Sequence, residues 1–125
     1  MLDMEKYQMK LNILGEEWEV KIDPNLKDDF RGLCDISVRT ITLNDFNKYL
    51  KFEYPLKDME NEIERTLSHE IVHAIFSEAG LEGYSSDELL VDFLSVQIPK
   101  LEKIIEQVKL NIKSKEGLED ERTSK

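Results

Sequence analysis

Polar and apolar residues alternate with a period of two at the start of the chain. Tyr7, Met9, Leu11 and Ile13 interleave with Gln8, Lys10 and Asn12, and Trp18, Val20 and Ile22 interleave with Glu17, Glu19 and Lys21. That period is the pleat of a strand. With Gly15 and Glu16 between them, the two runs predict a β-hairpin with one apolar and one wet face, ended by Asp23-Pro24-Asn25. A second, weaker hairpin is expected over residues 33–43. The apolar phase of Cys34 and Ile36 breaks before Ile41 and Leu43 restart it, which puts the turn near Ser37 to Arg39. Residues 44–55 mix aromatic and charged side chains without a clean period and predict irregular structure with one helical turn.

From Asp58 to Ala79 the period changes to that of a helix, with Ile63, Leu67, Ile71, Ala74, Ile75 and Ala79 on one broad face. Asp58 is placed to cap its start and Gly80 its end. Residues 80–86 are short enough to join two packed helices. A second helix is expected from Asp87 to Ile98 with Ser85 or Ser86 as its N-cap. Pro99 lacks an amide hydrogen, so it predicts a kink or the first turn of a new helix. Leu101, Ile104, Ile105, Val108 and Ile112 then form a third helical stripe, expected to pack on the domain's own core. The closing "SKEGLEDERTSK" has almost nothing to bury and reads as a mobile tail. The expected organisation is one domain over residues 1–113 and a flexible tail over 114–125.

Composition narrows the partners. The 125 residues carry a formal charge of −10, which opposes attraction to nucleic acid or to an anionic membrane. No charged-then-apolar leader and no bilayer-length apolar run appears, so the expected compartment is a cytoplasm. Cys34 is the single cysteine. It fits a reducing compartment, and its simplest reading is a small buried residue.

The stretch "SHEIVHAIF", residues 68–76, holds both histidines of the chain. On a helix, residues four apart stand about 40° around the axis and about 6 Å along it, so His69 and His73 present their imidazoles to one point. Two zinc ligands need that geometry. Glu70 stands beside them, able to reach a zinc-bound water without being a ligand, which is the mechanical sense of H-E-x-x-H. On the helical wheel both histidines lie at the boundary of the apolar arc, facing the rim of a cleft.

Two histidines leave a catalytic zinc site one protein ligand short. The candidates are Cys34, Glu78, Asp87, Glu88 and Asp92. Glu78 points away from the pair on its own helix, and Cys34 lies far back in the weak hairpin. Glu88 and Asp92 form a stripe on the second helix, with Leu89, Phe93 and Val96 to one side and Val91, Leu94 and Ile98 to the other. A carboxylate stripe walled by apolar residues predicts the facing half of a site, because charges avoid burial unless paired or bound to metal.

His69-Glu70-x-x-His73, followed one short loop later by Glu88-x-x-x-Asp92, resembles the gluzincin metallopeptidases. "HEIVHAIFSEAGL" and the strand-rich start resemble small phage-type and prophage-type zinc peptidase-like proteins more closely. The resemblance spans roughly residues 32–98. It implies that Glu88 is the third Zn²⁺ ligand and that Asp92 accepts a hydrogen bond from a ligating histidine, fixing its tautomer. It also implies a bacterial or phage-infected cell. The expected fold is α+β and minimally zincin-like: a small antiparallel sheet against the helix of His69, a second metal-ligand helix, and a C-terminal helix.

The implied activity is peptide-bond hydrolysis by a zinc-bound water, with Glu70 as general base. Tyr84 and Tyr54 are the candidates for stabilising the oxyanion, and Tyr84, in the loop between the metal helices, is the better placed. A peptide or protein substrate is expected along an edge strand at Thr40 to Leu43, the strand nearest the active-site helix in sequence. Two other readings stand beside this one. The first is a catalytically weak or inactive zinc-binding module, of phage or mobile-element origin, that regulates a partner. The second is a metal-free helical domain that docks through the stripe beginning at Leu101.

Overall fold

A computed structural model describes residues 1–52 and 56–123. Tyr54, one of the two oxyanion candidates, lies outside the described residues. The fold is α+β. Strands β1 (Met9–Ile13), β2 (Glu16–Ile22), β3 (Gly32–Asp35) and β4 (Thr40–Leu43) form one sheet, followed by helices α1 (Leu56–Glu78), α2 (Glu82–Ser85) and α3 (Glu88–Thr123).

β1 and β2 are the predicted hairpin, paired antiparallel with Leu11 opposite Trp18 and Ile13 opposite Glu16. The two turn residues are Leu14 and Gly15, both at positive φ, as a two-residue turn between right-twisted strands requires. Asn12 Oδ1 accepts the Gly15 amide at 2.9 Å.

The sheet is mixed where an antiparallel one was expected. Its order is β1-β2-β4-β3, and β4 runs antiparallel to β3 but parallel to β2, with Val20 opposite Ile41. The second hairpin does form. Its connection is a 3₁₀ turn, Ile36–Val38, capped by Asp35 and closed by left-handed Arg39. That connection returns β4 into the sheet between β2 and β3. Trp18, Val20, Ile41 and Leu43 are thereby fully covered, and Phe46, Met59, Ile63 and Ala74 belong to the same core.

α1 ends as its sequence predicts. Gly80 adopts positive φ, and the Leu81 amide returns to the Phe76 carbonyl at 2.8 Å, a closed helix C-terminus. At the next helix Asp87 takes the capping position expected of Ser85 or Ser86, its Oδ1 accepting the Leu90 amide at 3.1 Å.

The chain divides into two compact units, Met1–Ser95 and Val96–Lys125. α3 runs unbroken through Pro99 to Thr123, so residues 114–123 are helical. The stripe expected to pack on a core is exposed at Leu101, Ile104, Ile105, Val108 and Ile112. No helix among the described residues is long and apolar enough to cross a membrane.

Candidate metal centre

α1 carries His69 and His73 one turn apart, and the first turn of α3 brings Glu88 to them. His69 Nε2 lies 3.2 Å from His73 Nε2 and 3.1 Å from Glu88 Oε2, and His73 Nε2 lies 3.2 Å from Glu88 Oε1. Three residues therefore offer ligand atoms to one point. Tetrahedral coordination at metal–ligand distances of about 2.05 Å separates ligand atoms by about 3.3 Å. The observed spacings fit a small divalent ion.

The outer nitrogens of both rings are held, and that fixes the inner ones. Asp92 Oδ1 stands 2.8 Å from His69 Nδ1, so this nitrogen carries a proton and, in the neutral imidazole, Nε2 holds the lone pair. The Ser85 hydroxyl donates to the His73 backbone carbonyl at 3.1 Å, and its oxygen lies 3.4 Å from His73 Nδ1. With its own hydrogen directed at the carbonyl, Ser85 Oγ is an acceptor toward Nδ1–H, which in the neutral imidazole leaves the lone pair on His73 Nε2. Two lone pairs and a carboxylate then converge within 3.2 Å. Such a cluster repels itself unless a cation or shared protons lie among its members.

Glu70 is only 7% exposed and shares a recess with His69, His73 and Glu88. Burial pushes its carboxyl up to about 7; Glu88 adds to the shift and His73 opposes it. β3 makes that burial possible at Gly32. A Cβ there would stand 2.8 Å from Thr66 Cγ2 and 3.3 Å from Glu70 Cγ, so only glycine lets the strand lie this close to α1. Two recesses adjoin the centre, of about 300 Å³ and about 410 Å³, and Phe30, Gly32, His69 and Glu70 line both.

The other candidates fall as follows. Cys34 lines the larger recess, where burial pushes its thiol up to about 12, so it stays protonated. Glu78 is taken by Trp18 Nε1 at 2.9 Å and Arg39 Nε at 2.6 Å. Asp87 caps α3. Tyr84 is half-exposed, its ring 5.8 Å from that of Phe76, and it lines neither recess. The apolar walls expected around the Glu88–Asp92 stripe are incomplete: Val91 is buried, but Leu89 and Phe93 are exposed. Both carboxylates keep more than half of their surface.

Thr40–Leu43 is not an edge. β4 is paired on both sides, to β2 and to β3, so no peptide can add to it. The edge beside the centre is β3, whose Gly32, Leu33 and Cys34 line the larger recess.

Ser85, Gly32 and Arg65 are absent from the sequence-based site. Ser85 is visible there only as a helix cap, and Gly32 only as the residue before a weak strand. Arg65 had a findable signal, since it precedes His69 by four residues and shares its side of the helix. Comparison with protein-family models, with curated proteins and with solved structures finds no match.

Proposed function

We propose that this protein is a zinc-dependent, gluzincin-like metallopeptidase. The observation that carries the reading is the convergence of the two imidazole Nε2 atoms and Glu88, with a polar partner at each outer ring nitrogen, beside the buried Glu70 carboxyl. A donor set of two imidazoles and one carboxylate with an open fourth position suits catalytic Zn²⁺. When bound, Zn²⁺ supplies a Lewis acid and an acidified water.

Glu70 takes the proton of the attacking water and hands it to the departing amine. Burial raises this carboxyl above the ordinary carboxylate range in the metal-free protein, which makes it a stronger base for the water's proton. Asp92 and Ser85 keep the imidazoles from turning. An extended peptide adds to the free edge of β3, which brings its backbone past His69 and Glu70.

The position of Tyr84 against Phe76 favours a second reading, a zinc-binding module that regulates a partner without turnover, because it leaves the oxyanion without that phenol. Glu70 separates the two. In Glu70→Gln the first reading expects zinc content to stay at one per chain and hydrolysis of a peptide mixture, followed by mass spectrometry, to fall by about 100-fold or more. Equal, near-zero turnover in wild type and variant, with zinc bound in both, establishes the second.

A further inference from the structure

The two recesses beside the centre are walled by different chemistry. The larger presents Phe30, Leu33 and Ile36, each large, apolar and 40–46% exposed, together with the protonated Cys34. Exposed apolar side chains that converge on one cleft mark a binding surface. The smaller recess is charged, and three of its charged residues are engaged. Arg31 donates to Glu62 at 2.8 Å and lies over the Tyr49 ring, and Asp92 is held by His69. Arg65 and Asp29 have no ion-pair partner among the described residues.

Of these two, Arg65 shares its helix with the histidines of the centre. It precedes His69 by one helical turn, about 6 Å along the axis, which is close to the roughly 6.6 Å that two residues of an extended peptide span. Its guanidinium presents a fork of donors that matches a carboxylate. Asp29 sits ahead of β3, outside any helix or strand.

We infer that the substrate is a peptide bearing a large apolar side chain on one side of the scissile bond and a carboxylate on the other. The first enters the Phe30–Leu33–Ile36 recess and the second meets Arg65. This rests on the peptidase reading for the words "scissile bond", but recognition is measurable without turnover. The carboxylate is that of an acidic side chain or of the chain terminus, and blocked and free peptides distinguish the two.

The test uses zinc-loaded Glu70→Gln protein and fluorescent peptides carrying leucine and glutamate two positions to either side of a central bond, in both orders. Glycine-for-leucine and glutamine-for-glutamate analogues serve as references, each with free and amidated termini. One order should bind about tenfold more tightly than either reference. Arg65→Glu should abolish the glutamate preference, Arg65→Lys should keep part of it, and Ile36→Asp should remove the leucine preference, with zinc content unchanged in all three. Equal binding of glutamate and glutamine peptides overturns the inference, as does a lysine preference that Asp29→Asn removes. Selective binding by Glu70→Gln without cleavage by wild type would sink the peptidase reading and leave the recognition standing. Unselective cleavage by wild type would do the reverse.

Discussion

His73 shows how much a single neighbour decides. Its Nδ1 meets Ser85 Oγ, whose own hydrogen is committed to the His73 carbonyl, and Ser85 is itself buried. In the neutral ring the hydroxyl therefore favours the tautomer with its lone pair on Nε2, as Asp92 does for His69. Removing such a partner typically costs about 10–100-fold in metal affinity. Ser85→Ala should weaken zinc binding by that factor in a competition titration against a chromophoric chelator, with Ser85→Thr restoring most of it. An affinity unchanged in Ser85→Ala would mean that the packing of α1 alone orients the ring. The histidine pair was legible in the sequence because its geometry is local to one helix. Ser85 was not, because its partner lies twelve residues back on a different element.

Among the elements, the contact of β3 with α1 matters most to the site. Gly32 permits it, since an added Cβ would meet Thr66 Cγ2 at 2.8 Å and crowd Glu70. Gly32→Ala should destabilise the protein by about 1–3 kcal/mol, the usual cost of overpacking, with a lower urea midpoint. Adding Thr66→Ala, which removes the clashing methyl, should recover much of the loss. A double variant no better than Gly32→Ala would place the strain elsewhere.

Element identity came readily from periodicity: the first hairpin, α1 and its Gly80 terminus all follow from local pattern. The parallel pairing of β2 with β4 did not, because it joins segments about twenty residues apart that carry no shared turn signal. The edge strand was misplaced for the same reason, as chain order alone says nothing about which strand a returning segment slips between. α3 continues through Pro99, so of the two alternatives there, a kink or a new helix, the new helix does not occur.

At the scale of the molecule, Glu70 couples the site to stability. Its ordinary value of 4.5 applies to the unfolded chain, whereas the folded carboxyl is pushed up to about 7. Below pH 4.5 both states hold the proton and nothing is lost. As pH rises from 4.5 to 7 the folded protein keeps a proton that the unfolded chain has released, so stability falls, and above 7 the loss is complete, on the order of 3 kcal/mol. Urea unfolding of metal-stripped protein at pH 5 and pH 8 should show this decline in wild type and a smaller one in Glu70→Gln. Equal declines would contradict it. Bound Zn²⁺ opposes the loss by favouring the ionised carboxylate.

The central claim is that His69, His73 and Glu88 bind one zinc ion and Glu70 does not. Zinc content and affinity, measured on stripped and reloaded wild type, His73→Ala, Glu88→Ala and Glu70→Gln, test it most directly. One tightly bound zinc in wild type and Glu70→Gln, lost or greatly weakened in the other two, is the predicted result. Wild-type affinity in Glu88→Ala would remove the third ligand, and no zinc in wild type would leave the convergence of the two imidazoles without the cation that explains it.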